Sequence, residues 1–245
     1  MNENAIEGRN AVIEALRSGK TIERLYVQEG LREGPIATVL REAKKLGIKA
    51  EFLPKERLDY MSPEKKHQGV LALIAAYEYA EVEDILEAAR QKGEDAFLFI
   101  LDGIEDPHNL GAIIRTANLC GAHGVIIPKN RAVGLTAAVA RASAGALNYT
   151  PVAKVTNIAR TIEELKKEGI WFVAADMGGS PMYELDLKGA IGLVIGKEGK
   201  GISELVKKQC DFCASIPMKG DIDSLNASVA AAVLAYEIFR QRWAK

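Results

Sequence analysis

The first 76 residues alternate short helical and strand patterns. Asn10 to Arg17 reads as a helix, Ile22 to Val27 as a strand, Ile36 to Leu46 as a helix ended by Gly47, and Lys49 to Leu53 as a strand. A last strand, Val70 to Ala75, follows the polar turn His67-Gln68-Gly69, and together these predict a compact α/β unit. Residues 77–94, YEYAEVEDILEAARQKGE, are acidic and then helical, a composition suited to a linker. From Ala96 onward the strands become continuous apolar runs: Phe97 to Leu101, Val125 to Ile127, Trp171 to Ala175, Ile191 to Ile195 and Phe212 to Ile216. Helical patterns separate them, which predicts a mostly parallel sheet covered on both faces. Ligands of such sheets gather at the carboxyl ends of the strands.

Three stretches stand at those ends. After the first run, Pro107-His108-Asn109 breaks the chain, and Asn109 is expected to cap a helix beginning at Leu110. Leu110, Ile113, Ile114, Ala117 and Gly121 form one inward stripe on that helix, and Arg115 lies about 140° from it. Packing does not need Arg115, which leaves either a solvated arginine or a guanidinium turned toward a phosphate or ribose. The second stretch, LVIGKEGKGIS, carries Gly196, Gly199 and Gly201 within six residues at the end of a buried strand. A phosphate-binding P-loop needs Lys-Ser/Thr after the last glycine, where this chain has Ile202. Glu198 inside the loop would repel a pyrophosphate, so the ligand reads as something other than a phosphate, with an ordinary strand-to-helix turn as the alternative.

The third stretch is carboxyl-terminal. Ile216-Pro217-Met218 ends a strand, Gly220 and Asp221 make a loop, and a helix is expected to open near Ser224. Leu225, Val229, Ala232, Tyr236, Phe239 and Trp243 are expected to face the core, yet Ala227, Ala230, Ala231, Leu234 and Ile238 make the other side apolar too. A helix apolar on both sides is buried on both, which predicts a homodimer, or else the linker folding back over it.

Charge narrows the choice of partners. With 32 Lys and Arg against 33 Asp and Glu, contact with nucleic acid has to come from a local patch. Basic and acidic residues interleave through residues 5–76 except at two polar spots beside glycine, which supply Arg9, Asn10, Lys65 and Lys66 as candidate RNA contacts. The three cysteines suit a reducing compartment, and the Cys210-x-x-Cys213 pair, having no second pair, reads as small core residues and not as a metal site. No apolar run has the eighteen or so residues of a membrane span, and MNENAIEGRN does not resemble a signal peptide, so a cytoplasmic protein without membrane partners is expected.

Taken in order, the three stretches resemble the motifs of the SpoU (TrmH) family of RNA ribose 2′-O-methyltransferases. Asp102 to Ala117 reads D-x-x-x-D-P-x-N-x-G-x-x-x-R-x-A, Gly196 to Gly201 reads G-x-E-x-x-G, and Ile216 to Val229 holds the I-P-M and S-L-N-x-S-V segments. Glu7 to Val12 and His67 to Val70 are similar to the small amino-terminal domain of the 23S rRNA guanosine 2′-O-methyltransferase subgroup. The resemblance implies an L30e-like RNA-binding domain (1–76), a linker (77–94) and a SPOUT-type catalytic domain (95–245) with a trefoil knot, against the usual rule for chain paths. It further implies obligate dimers, S-adenosylmethionine held around Gly196, Gly201, Ile216, Met218 and Leu225, and a catalytic group of Asn109, Arg115, Glu198, Ser224 and Asn226. The chemistry would be in-line attack of a ribose 2′-oxygen on a sulfonium methyl, for which a protein supplies alignment and help with one proton. Arg115 would act as base, or as the positive partner of the forming alkoxide; a guanidinium pKa above about 12 favours the second. Ribosomal RNA is the expected substrate and transfer RNA the alternative. A non-catalytic RNA-binding protein, or an α/β protein that binds ATP or NAD, are the competing classes.

Overall fold

The computed structural model describes residues 4–18, 20–62, 65–75, 77–222 and 224–243. Two compact units emerge, Met1–Glu78 with Gly134–Ala137, and Tyr79–Val133 with Ala138–Lys245. Ala76, where the first domain was expected to end, lies outside the described residues.

The first unit is built from β1 (Ala5–Glu7), α1 (Arg9–Arg17), β2 (Ile22–Gln28), α2 (Pro35–Lys45), β3 (Ala50–Leu53), α3 (Lys55–Met61) and β4 (Val70–Ile74). Its sheet runs β1-β4-β2-β3, with only the β2–β3 pair parallel. Val12 and Leu16 of α1 and Ile36 and Val39 of α2 pack with Leu25, Val27, Val70 and Ala72, the alternate apolar positions of the two central strands.

The second unit holds α4 (Val82–Lys92), β5 (Phe97–Asp102), α5 (Pro107–Leu119), β6 (Gly124–Pro128), α6 (Ala137–Ala142), β7 (Val152–Val155), α7 (Ile158–Lys166), β8 (Trp171–Pro181), β9 (Ile191–Gly196), α8 (Glu204–Lys207), β10 (Phe212–Ser215) and α9 (Ala227–Trp243). Strand order is β10-β8-β9-β5-β6-β7, parallel throughout. Continuous apolar runs are what such strands require, since both faces are covered. Leu98 and Ile100 face one layer with Ile85 and Leu86 of α4 and Ile158, Ile162 and Leu165 of α7. Phe97, Phe99 and Leu101 alternate to the other face and are equally buried; there α5 packs against α9, which also meets β9. Among the described residues no helix is long and apolar enough to cross a membrane.

Three expectations need correction, and one strand was not anticipated. Within the stretch read as a linker, Val82–Lys92 is a helix whose Ile85, Leu86 and Ala89 are core residues of the second unit. Gly121 is exposed beyond the end of α5, where its φ of 71° closes the helix, so it adds nothing to the inward stripe. The strand Val152–Val155 pairs with β6 although its Lys154 interrupts the apolar run that would have marked it. Finally, α9 turns the opposite way from expectation. Ala227, Ala231, Leu234 and Ile238 are its buried side, while Val229, Tyr236 and Trp243 are exposed.

Candidate active site

Strand β9 ends at Gly196, directly paired with Asp102 at the end of β5, so the first two motif stretches leave the sheet level with each other. Beyond Gly196 the chain turns back on itself. Lys197 N–H donates to the Gly201 carbonyl at 3.0 Å and Gly201 N–H to the Lys197 carbonyl at 2.8 Å. The far side of this turn is pinned by Ser203 N–H donating to Asp102 Oδ2 at 2.7 Å. Backbone is therefore what the loop presents, and the Lys197 ammonium is drawn away to Glu105 at 2.7 Å.

Helix α5 starts earlier than expected, at Pro107, and its cap is Asp106, whose carboxylate accepts from His108 and Asn109 N–H. The correction matters because it frees the Asn109 side chain. That buried amide donates through Nδ2 to Glu198 Oε1 at 2.9 Å and accepts at Oδ1 from Asn226 Nδ2 at 3.0 Å. Asn226 Nδ2 also reaches Glu198 Oε1 at 2.5 Å. Its own Oδ1 accepts from Ser228 N–H at 2.9 Å and from Val229 N–H at 3.4 Å, so Asn226 caps α9, which begins at Ala227 and not near Ser224. Three of the five residues expected at the centre thus form one hydrogen-bonded cluster, although 117 positions separate Asn109 from Asn226.

Beside this cluster opens a cavity of about 420 Å³ at the carboxyl ends of β8, β9 and β10. Gly196, Gly201, Ile216, Met218 and Leu225, all five expected cofactor contacts, line it, as do Glu198, Ser224 and Asn226. Met218 and Leu225 are partly exposed in its mouth. Asp176 and Met177 also line it and were not anticipated, because β8 runs to Pro181, well past the apolar run that ended at Ala175. Asp176 is paired with Lys207 Nζ at 2.7 Å and accepts from Gly178 N–H at 2.9 Å. The lysine hydrogen bond, and then the Gly178 amide, hold its carboxyl below the ordinary aspartate value. With Asp176 paired to Lys207 and Lys197 turned to Glu105, the Glu198 carboxylate sets the charge of the wall, which opposes a polyphosphate and suits a cationic ligand. S-adenosylmethionine fits that donor set: backbone amides and carbonyls for a neutral base, apolar walls, and negative charge near a sulfonium.

Arg115 is exposed and does not line the cavity. Six residues along α5 from Asn109, it is turned about 120° away and lies about 9 Å further along the axis. The exposed side of α9, on the helix packed against α5, carries Tyr236 and Trp243 with Phe239 between them at ring separations of 5.9 and 5.3 Å.

In the first unit, the two candidate RNA spots prove to be one. Gly8 N–H donates to the Val70 carbonyl, Arg9 N–H to Gln68 Oε1 at 3.4 Å and Arg9 Nε to the Gln68 carbonyl at 3.0 Å. Lys66 N–H and Ser62 Oγ both donate to the Glu7 carboxylate. Asn10, Lys65 and Lys66 are exposed beside this junction and Arg9 is half-buried in it. Buried His67 fixes the loop by accepting from Gly69 N–H at Nδ1 and donating from Nε2 to Asp59 at 2.8 Å.

Comparison with known proteins bears on both units. Residues 96–236 match the model of the SpoU rRNA Methylase family, and residues 5–80 match that of RNA 2′-O ribose methyltransferase substrate binding. A Bacillus subtilis (strain 168) protein named for the TrmH family of tRNA/rRNA methyltransferases is 51% identical over 236 residues, 96% of this chain and 94% of its own. Among solved structures, the SpoU methyltransferase AviRb from Streptomyces viridochromogenes, in complex with AdoMet, is 25% identical with a TM-score of 0.62, covering 98% of this chain and 91% of that one. An AdoMet-bound rRNA methyltransferase from Sinorhizobium meliloti is also 25% identical, with a TM-score of 0.61 over 96% and 86% of the two chains.

Proposed function

The chain belongs to the SpoU rRNA methylase family and is an S-adenosylmethionine-dependent RNA 2′-O-ribose methyltransferase, and within that class we propose that its target is a guanosine ribose of 23S ribosomal RNA. The competing classes, a non-catalytic RNA binder and an ATP- or NAD-binding protein, fall with that membership. The observation that carries the proposal for the site is the Asn109–Glu198–Asn226 cluster at the edge of the cavity. S-adenosylmethionine supplies a methyl group already activated by its sulfonium charge. Gly196, Gly201, Ile216, Met218 and Leu225 hold it, Glu198, Ser224 and Asn226 organise the site, and Asn109 faces the incoming ribose. The knotted chain path through 196–226 belongs to the same proposal, as does RNA delivery by Arg9, Asn10, Lys65 and Lys66. Ribosomal RNA is favoured by the likeness of Glu7–Val12 and His67–Val70 to the 23S subgroup.

The chain acts as a homodimer joined through the exposed face of α9, and Arg115 of one protomer serves the cavity of the other. Its turn away from Asn109 on α5 supports this, and its fixed charge suits a forming alkoxide and adjacent phosphate better than a proton-accepting role. RNA from a strain lacking the protein, incubated with purified enzyme and tritiated cofactor, should take up label at one 23S ribose; label confined to transfer RNA would overturn the substrate. Arg115→Ala should lose about a hundredfold in rate with cofactor binding intact. Mixing Arg115→Ala with Glu198→Ala subunits should restore about a quarter of the activity, since one site per mixed dimer is whole. No restoration would mean that both residues serve from the same chain.

A further inference from the structure

Tyr60 is 91% exposed at the end of α3, the most open large hydrophobic side chain described in the first unit. The inward face of that helix is satisfied without it, because Leu58 is fully buried. Lys55, Arg57 and Lys65 are exposed around it, with Arg57 one turn back on the same helix face. Asp59, Tyr60, Ser62 and Lys65 outline a shallow cavity of about 480 Å³. Of the nearby carboxylates, Asp59 is engaged with His67 and Glu7 with Ser62 and Lys66 N–H, while Glu56, one turn back on α3, is exposed. Beside the cavity, Lys65 and Gln68 hold left-handed φ angles of 56° and 48° on either side of the buried His67.

An open aromatic face flanked by Arg57 and Lys65 suits an unpaired nucleotide. The ring stacks on the base while the cations meet flanking phosphates. Within a duplex the base faces are hidden, and phosphates, 2′-hydroxyls and groove edges are what remain. Resting on the assignment of RNA contact to this unit, we propose that Tyr60 is a stacking platform for a single unpaired base of the RNA substrate, with Arg57 and Lys65 on its backbone.

The test uses the full chain and an RNA hairpin carrying 2-aminopurine in its loop, with the blunt stem duplex as control. Wild-type protein and Tyr60→Phe should quench the 2-aminopurine fluorescence on binding. Tyr60→Leu, equally apolar but without a π face, should leave it bright and bind the hairpin roughly 5- to 100-fold more weakly. Duplex affinity, cofactor affinity and melting temperature should be the same for all three proteins. Equal quenching and affinity for Tyr60→Leu, or no quenching by the wild type, would overturn the proposal. Methyl transfer by the same preparations to total RNA separates the two levels. A wild type that methylates while Tyr60→Leu binds normally refutes only the platform, whereas a wild type that methylates nothing refutes the functional reading beneath it.

Discussion

A methyl group at position 196 has no room. An ideal Cβ on Gly196 would sit 2.1 Å from the Gly201 carbonyl carbon and 2.3 Å from the Ile202 nitrogen, both backbone atoms. Gly196→Ala must therefore either strain the turn or open it by breaking the reciprocal Lys197–Gly201 hydrogen bonds. Overpacking costs about 1–3 kcal/mol, and two hydrogen bonds of about 0.5–1.5 kcal/mol each amount to the same. Neither escape is cheaper, so a loss of about 1–3 kcal/mol follows by either route, or about 2–12 °C in melting temperature for a chain of this size. The displaced loop wall would have to be restored for the cofactor to bind, which weakens S-adenosylmethionine by roughly 5- to 150-fold. Gly199→Ala is the control. Nothing lies within 4 Å of a Cβ there, but φ is 72°, so about 1–2 kcal/mol of conformational strain falls on the loop tip while the 197–201 closure survives. Calorimetric titration of the cofactor and thermal unfolding of both variants decide the matter. Wild-type affinity and stability in Gly196→Ala, or weaker binding by Gly199→Ala than by Gly196→Ala, would refute the steric reasoning.

Glu198→Gln keeps an oxygen for the Asn109 and Asn226 amides but removes the charge in the cavity wall. An opposite charge at contact range contributes about 1 kcal/mol or more, so S-adenosylmethionine should weaken roughly fivefold or more while S-adenosylhomocysteine, which lacks the sulfonium charge, is nearly unaffected; equal losses for the two ligands would remove the electrostatic role. Alkaline pH should also destabilise the fold through its thiols. Burial first, and Asp211 next, push Cys210 up from 9.0 to about 12, and burial pushes Cys120 to about 11. The folded state then keeps protons that the unfolded state releases, so this contribution is complete below about pH 9 and is lost as pH rises toward 11 and 12. Melting temperature measured from pH 8 to 11 should fall less steeply in Cys210→Ser than in the wild type, and identical slopes would count against a raised thiol pKa.

Features that depend on neighbours along the chain were legible in advance. Phe97–Leu101 and Ile191–Ile195 announce buried parallel strands because each is apolar at every position, and the spacing of Gly196, Gly199 and Gly201 announces a turn of bare backbone. The motif stretches 102–117, 196–201 and 216–229 contain every residue of the hydrogen-bonded cluster. What periodicity could not tell was the facing of α9: with alanines on one side and aromatics on the other, both sides satisfy an inward stripe, and only packing against α5 and β9 selects the small one. Asp106 and Asn109 could each have capped α5, and the choice of Asp106 is what releases Asn109 toward Glu198. Asp176 entered the cavity wall because β8 continues through polar residues by pairing with β10 at Ser180 and Pro181. Propensity and capping are decided within a few residues, whereas the meeting of Asn109, Glu198 and Asn226 depends on β5 and β9 ending level in one sheet and on α9 returning beside them, which no local stretch encodes.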